Sequence, residues 1–326
     1  MINLVRKLSS KNKWILTSVL FLLVTLPRFN DNKIVVKNTS YDSKYFIAYV
    51  EYFRGEVPSQ SIRPASNWRL FVPFVASILP FSANTSINCI NLICLAFALY
   101  FLFQTLKNLA VDETISWISL WLFIFSFPTF YYSTIAYVDP GILLFISIAV
   151  FATIIQNNFM FLASLAIGLL AKETILLVLP FYFFYTVLQR KKPAYFFSFI
   201  AFFIFIIGNV LLRKYAPTSS GESNSAFWEF SGNAFQLNFN RLHSWLSFPL
   251  SFGIVGVLYL YVLFKLKKNI FSDSLLLASL FSVMLALALY VASLFSTVAD
   301  GRIIWHCYFF MLPAIAVYFS NNKLTN

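Results

Sequence analysis

The apolar residues of this chain come in long blocks rather than at the period of a helix face or a strand, and block length limits the folds open to it. A helix needs about 20 mostly apolar residues to cross bilayer hydrocarbon, where each backbone N–H and C=O must be satisfied within the segment. Such blocks occur at roughly 14–27, 86–106, 114–131, 139–156, 194–212, 245–264, 274–295 and 303–319. The block 159–188 is too long for one span and is cut by Ala171, Lys172 and Glu173, so it reads as two short spans. With 60% of residues hydrophobic and only 11% charged, too few polar side chains remain to cover a soluble surface of this size. The reading is an all-α polytopic membrane protein.

One apolar stretch resists that treatment. Between Arg69 and Ser82 lie only about a dozen residues, interrupted by Pro73 and Pro80, a length that suits an interfacial or re-entrant helix. Short cytoplasmic loops collect Lys and Arg. If this stretch lies flat, then Arg6, Lys7, Lys11 and Lys13, Lys107, Arg190 to Lys192, Lys265 to Lys268 and Lys323 all fall on the cytoplasmic side. The expectation is about ten transmembrane helices with both termini cytoplasmic, plus interfacial helices in the first external loop. No small-residue cleavage site follows the first apolar stretch, which reads as a retained anchor.

The net charge of +12 is divided between cytoplasmic turns and the first external loop, so lipid headgroups rather than nucleic acid are its expected partners. Cys89, Cys94 and Cys307 sit in apolar segments without a CxxC pair and read as packing residues. Nothing matches a metal-ligand spacing of the HExxH kind.

This orientation gathers the unusual polar residues on the external side: Asp42, Arg63, Asp139, Lys172, Glu173, Asp300, Arg302 and His306. Each has a plain structural reading. Asp139 stands before Pro140 at a helix start and would make a serviceable cap. Lys172 and Glu173 suit an ion pair at a helix junction, and Arg302 could snorkel to the interface. Asp42 precedes Tyr45, Phe46, Tyr49, Val50 and Phe53, whose three- and four-residue spacing gives an amphipathic helix with an acid near its start. Arg302 and His306 are four apart and share a helix face. The convergence on one side is what favours a site.

The ordered series "YDSKYFIAYVEYFRGE", "RPASNWRLFVPFVASILP", "FSFPTFYYSTIAYVDPGILLF" and "FLASLAIGLLAKETILLVLPFYFF" resembles the integral-membrane glycosyltransferases of the C superfamily. These multi-span enzymes use polyprenyl-phosphate sugars and include the protein mannosyltransferases and the lipid A aminoarabinose transferase. The resemblance runs from Asp42 to Lys192, continues weakly from Gly301 to Val317, and leaves 193–299 unassigned. It implies that Asp42 lies at the catalytic centre, that Asp139 is the second acidic residue at the outer end of a later span, and that Lys172 is the lysine after "GLL". The chain departs from the pattern in having Ser43 after Asp42 and no histidine nearby.

A lipid-phosphate donor needs a cation for the leaving phosphate and a base for the attacking hydroxyl. Asp42 is then the general base, Arg302 with Lys172 the phosphate clamp, and Asp139 the orienter of acceptor or sugar hydroxyls; Glu173, Arg63 and His306 complete the candidate substrate-binding set. The expected activity is inverting transfer of a sugar from a polyprenyl-phosphate donor to a lipid-linked, glycan or protein acceptor on the external face of a multi-pass membrane protein, with the bacterial inner membrane as its expected location. No cofactor is required, although a divalent cation would be compatible with the donor phosphate. Residues 1–192 would form the glycosyltransferase-like core with the first external loop, and 193–326 the C-terminal transmembrane helices with an external loop at about 215–244. The aromatic stretch Ser225 to Trp245 offers rings and polar groups for sugar or acceptor contact, or an interfacial belt. Another envelope polysaccharide enzyme, a polymerase or acyltransferase, would gather charge externally in the same way. A transporter, the weaker alternative, would place it near the bilayer midplane in broken helices.

Overall fold

The computed structural model describes residues 8–29, 43–58, 69–189, 194–216, 232–296 and 301–323, and among them every regular element is helical. α1 (Ser10–Thr25) starts on Ser9, whose hydroxyl accepts the Asn12 N–H. α2 (Ser43–Phe53) buries Phe46, Tyr49 and Val50, the face set out by the spacing of its sequence. That face packs on α3 (Phe71–Ser77) and α4 (Ala83–Asn108). Arg54, just beyond α2, fastens the three together. Its guanidinium donates to the carbonyls of Ser77 and Leu79 and to the Ser86 hydroxyl, filling acceptors that the end of a short helix leaves open.

α3 has seven residues and is about 10 Å long at 1.5 Å per residue, a third of the ~30 Å hydrocarbon layer. The described residues between α1 and α4 thus contain only short helices, α2 and α3. α5 (Glu113–Ile124) is capped by Asp112, and α6 (Phe127–Tyr132) by Ser126 with Pro128 in the first turn. The block 114–131, expected as one span, is therefore two helices broken at Phe125. The Ser126–Pro128 start signal lies inside the apolar run and overrides it.

α7 (Asp139–Ile154) packs against α4 and α8 (Asn158–Ala171). A 3₁₀ turn (Glu173–Leu177) leads into α9 (Val178–Leu188). α10 (Ala194–Tyr215), α11 (Gly232–Phe239), α12 (Leu242–Lys265) and α13 (Ser274–Ser296) follow. The last apolar block begins with a separate short helix, α14 (Arg302–His306), ahead of α15 (Tyr308–Lys323). α12 contains Pro249 and breaks at Gly253, whose φ of 48° lies in the left-handed region that glycine tolerates. The Tyr308 hydroxyl donates to the Ser251 carbonyl beside that break at 2.8 Å.

Four described helices are long and apolar enough to cross a membrane: Ala83–Asn108, Tyr195–Tyr215, Ser244–Lys265 and Ser274–Phe295. Glu113–Ile124, Asp139–Ile154, Asn158–Ala171 and Glu173–Leu188 are apolar but shorter. α10 leaves Phe196, Phe199, Phe202 and Val210 outward, as a helix bathed in hydrocarbon does.

The helices give the molecule two polar ends. At one, Lys13 Nζ lies 2.7 Å from Glu113, the Asp112 N–H donates to the Ser320 hydroxyl, and Gln156 donates to Gln189. The start of α1 thereby meets the start of α5, and α7 and α9 terminate together. At the other end of α7 stands Asp139.

Candidate functional site: a buried carboxylate shared by two cations

The segment leading into α7 is held from α4. Buried Asn88 accepts the Ala136 N–H at 2.8 Å, and buried Asn91 donates to the Tyr137 carbonyl at 2.6 Å. A buried amide is costly without such partners, so these two residues fix the path of the loop, where Ala136 takes a φ of 58°. Within the first turn of α7, a Cβ on Gly141 would approach Val72 to 2.5 Å; the absent side chain lets α7 lie close to α3. The head of α7 is thus positioned from two sides.

The Asp139 carboxylate is 1% exposed and both its oxygens are engaged. Oδ1 accepts from Lys172 Nζ at 2.6 Å and meets His306 Nε2 at 3.1 Å; Oδ2 accepts from Arg302 Nη1 at 3.2 Å. A carboxylate accepts and does not donate, so this contact places a proton on His306 Nε2. His306 Nδ1 is buried and has no hydrogen-bond partner among the described residues. Val138 occupies the cap position of α7 without a side-chain bond, while the Asp139 carboxylate turns to cations rather than to the N–H groups of its own helix.

Lys172 reaches Asp139 because the chain breaks there. It is extended, with φ −171° and ψ 144°, between α8 and the 3₁₀ turn. Arg302 and His306 project from one face of α14, as their four-residue spacing required. The Arg302 guanidinium lies 4.2 Å from the centre of the Tyr137 ring and 5.7 Å from that of Tyr132, both buried. It is directed inward, not snorkelling outward. α14 can come this close because of Gly301: its N–H donates to the Ser247 hydroxyl at 3.0 Å, and a Cβ there would stand 2.2 Å from the Ser247 carbonyl oxygen.

Compared with family models, curated proteins and solved structures, the chain matches none. What the site can do has to come from its residues.

Four candidates from the sequence, Asp139, Lys172, Arg302 and His306, meet in this cluster. Glu173 lies beside it in the chain but pairs with Arg69 in a two-pronged contact, Nη2 to Oε1 at 2.8 Å and Nε to Oε2 at 3.3 Å. Asp42 and Arg63 lie outside the described residues, as does Asp300. Among the described residues no group of three His, Cys, Asp or Glu side chains is arranged to hold a metal ion. The sequence reading missed Arg69, Tyr137 and the two loop-holding asparagines. Asn88 and Asn91 carried a usable signal, since amides three residues apart inside an apolar span are expensive and imply polar partners.

An ammonium and a guanidinium fixed on one buried carboxylate, with only small parts of each cation exposed, form a preorganised charged cluster with one more cation than anion. Fixed cations of this kind can stabilise a phosphate oxygen or another anion that develops charge, because they need little reorganisation.

Proposed function

We propose that this protein is a membrane glycosyltransferase that moves a sugar from a polyprenyl-phosphate donor to an envelope acceptor, with inversion, at the external face of a bacterial inner membrane. The observation that carries the reading is the convergence of Lys172 and Arg302 on Asp139 at one end of α7, away from the end marked by Lys13 and Glu113. The acceptor, a lipid-linked molecule, glycan or protein, attacks the anomeric carbon with its hydroxyl oxygen. The bond from that carbon to the phosphate oxygen breaks, and polyprenyl phosphate leaves with the electron pair. Arg302 and Lys172 stabilise the charge on the leaving phosphate. Asp42, the residue before α2, receives the hydroxyl proton. Asp139 acts through the two cations, as a positioning residue, because both of its oxygens are already engaged. The reading includes about ten spans, formed partly by short and broken helices, and cytoplasmic termini.

The helix breaks at Lys172 and Cys307, beside buried charge, favour transport as a second reading. The position of the cluster at a helix end, together with the resemblance of 42–192, favours the enzyme. Purified protein reconstituted in lipid and given a panel of polyprenyl-phosphate sugars separates the two. Enzyme action consumes donor and releases polyprenyl phosphate, whereas transport moves donor or solute across the bilayer with no bond broken. Failure to consume any donor in the presence of envelope acceptors counts against the proposal.

A further inference from the structure

The turn between α12 and α13 and the last turns of α15 enclose a pocket of about 180 Å³. Leu266, Ala314 and Val317 line it together with the polar residues Asn269, Asp273 and Asn321. It lies at the end of the molecule opposite the Asp139 cluster: Asn321 follows Ser320, whose hydroxyl accepts the Asp112 N–H at the end marked by Lys13 and Glu113. We infer that this pocket binds the headgroup of an ethanolamine phospholipid, through its ammonium and its phosphate, as a site separate from the proposed sugar transfer.

The anionic side of the pocket is preorganised. The Asn269 N–H donates to the Leu266 carbonyl at 2.7 Å, and the Asn269 carbonyl accepts the Ser272 and Asp273 N–H groups. This turn sets Asp273 at the head of α13, where Oδ1 accepts the Leu276 N–H at 2.9 Å. Oδ2 has no hydrogen-bond partner among the described residues, and no described lysine or arginine pairs with the carboxylate. The side-chain amides of Asn269 and Asn321 are likewise without a partner among them. A half-buried carboxylate with one open oxygen, in a pocket with two open amides, suits a cation that brings several N–H donors, as a primary ammonium does.

The cationic side comes just before it in the chain. Lys265, Lys267 and Lys268 surround the pocket residue Leu266, yet none of them pairs with Asp273 or with another acid among the described residues. Lys265 Nζ stands 5.6 Å from the centre of the Tyr261 ring, which packs edge-on at 6.1 Å against Tyr318 in the pocket wall. One turn thus carries an acid and three lysines that leave each other unpaired. A zwitterion with its ammonium at Asp273 and its phosphate at the lysines satisfies both signs. An anionic lipid satisfies the lysines alone and is repelled by Asp273, and a choline headgroup has no N–H to donate. Tyr261 and Phe264 are exposed on α12 just before this turn, as rings are where a helix leaves hydrocarbon, so the headgroup comes from the bilayer.

The test uses the full chain in detergent with phosphatidylethanolamine, phosphatidylglycerol and phosphatidylcholine of identical acyl chains, bound lipid being counted by native mass spectrometry. The wild-type protein should hold phosphatidylethanolamine roughly 5-fold more tightly than either of the others, the scale of one half-exposed ion pair. Asp273→Asn keeps the helix cap and removes the charge, so that preference should disappear while lipid-free unfolding stays the same. Replacing Lys265, Lys267 and Lys268 together by Gln should weaken phosphatidylethanolamine and phosphatidylglycerol alike. Glycerophosphoethanolamine, the same headgroup without acyl chains, should not displace the lipid. In the wild-type protein a diazirine at the top of the acyl chain of phosphatidylethanolamine should label the end of α12 and the last turns of α15, an outcome that does not depend on any variant folding. The preference surviving in Asp273→Asn, equal retention of phosphatidylglycerol, displacement by the free headgroup, or labelling confined to the outward face of α10 overturns the inference. None of these outcomes bears on the glycosyltransferase reading.

Discussion

Lys172 and Asp139 are 33 residues apart in sequence, and their charged atoms lie 2.6 Å apart in the structure, behind almost complete burial of the carboxylate. Asp139 holds Arg302 on its other oxygen, so one acid fixes two cations from two different helix ends. Removing that acid should leave two buried cations facing each other.

Asp139→Asn should therefore destabilise the protein by about 3–5 kcal/mol, the range for breaking a buried pair from one side. Simple capping makes the opposite forecast, because asparagine caps as well as aspartate. Thermal unfolding in detergent distinguishes them. Adding Lys172→Met to Asp139→Asn should recover part of the loss, by removing one of the unpartnered charges.

Arg302→Lys preserves the charge but not the planar fork that spans the Asp139 oxygen and the Tyr137 ring. Donor affinity should fall by roughly 10-fold or more while the unfolding temperature changes little. Isothermal titration with a polyprenyl phosphate measures it. Affinity equal to wild type would remove Arg302 from the donor site.

Gly301→Ala places a methyl group 2.2 Å from the Ser247 carbonyl oxygen, a backbone atom that cannot rotate away. The variant should lose about 1–3 kcal/mol of stability through overpacking. It should also weaken donor binding, since Arg302 is the next residue and moves with it. Wild-type unfolding and binding in this variant would mean that α14 is not held where the structure has it.

Orientation is tested by reporter fusions. Fusions after Lys107, Lys192 and Lys268 should report the cytoplasm, and fusions within 219–233 the outside. An external signal after Lys107 would reverse the arrangement and put the Asp139 cluster on the cytoplasmic side.

Much of the fold could be read from local sequence. The cut at Ala171 to Glu173 became the extended Lys172 between helices, and the two prolines between Arg69 and Ser82 marked a short helix. The four-residue spacing of Arg302 and His306 placed both on Asp139. The convergence itself was not legible, because it depends on how α4, α7, α8 and α14 pack, and apolar blocks carry almost no information about which neighbour they choose. Breaks at Phe125, Gly253 and Cys307 were hidden for a related reason: hydropathy averages over the single serine, glycine or cysteine at which a helix stops. Arg69 carries no local signal of its role, because in sequence it is the polar edge of an apolar stretch and its partner Glu173 is 104 residues away.

The most direct measurement is simultaneous detection of polyprenyl phosphate release and of the anomeric configuration of the transferred sugar, with wild-type and Asp42→Asn proteins reconstituted at matched levels. Wild-type protein should release polyprenyl phosphate in step with formation of an inverted product, and Asp42→Asn should slow both by about 100-fold or more. Release at the wild-type rate in Asp42→Asn, or a donor that remains intact with every acceptor tried, would contradict the account.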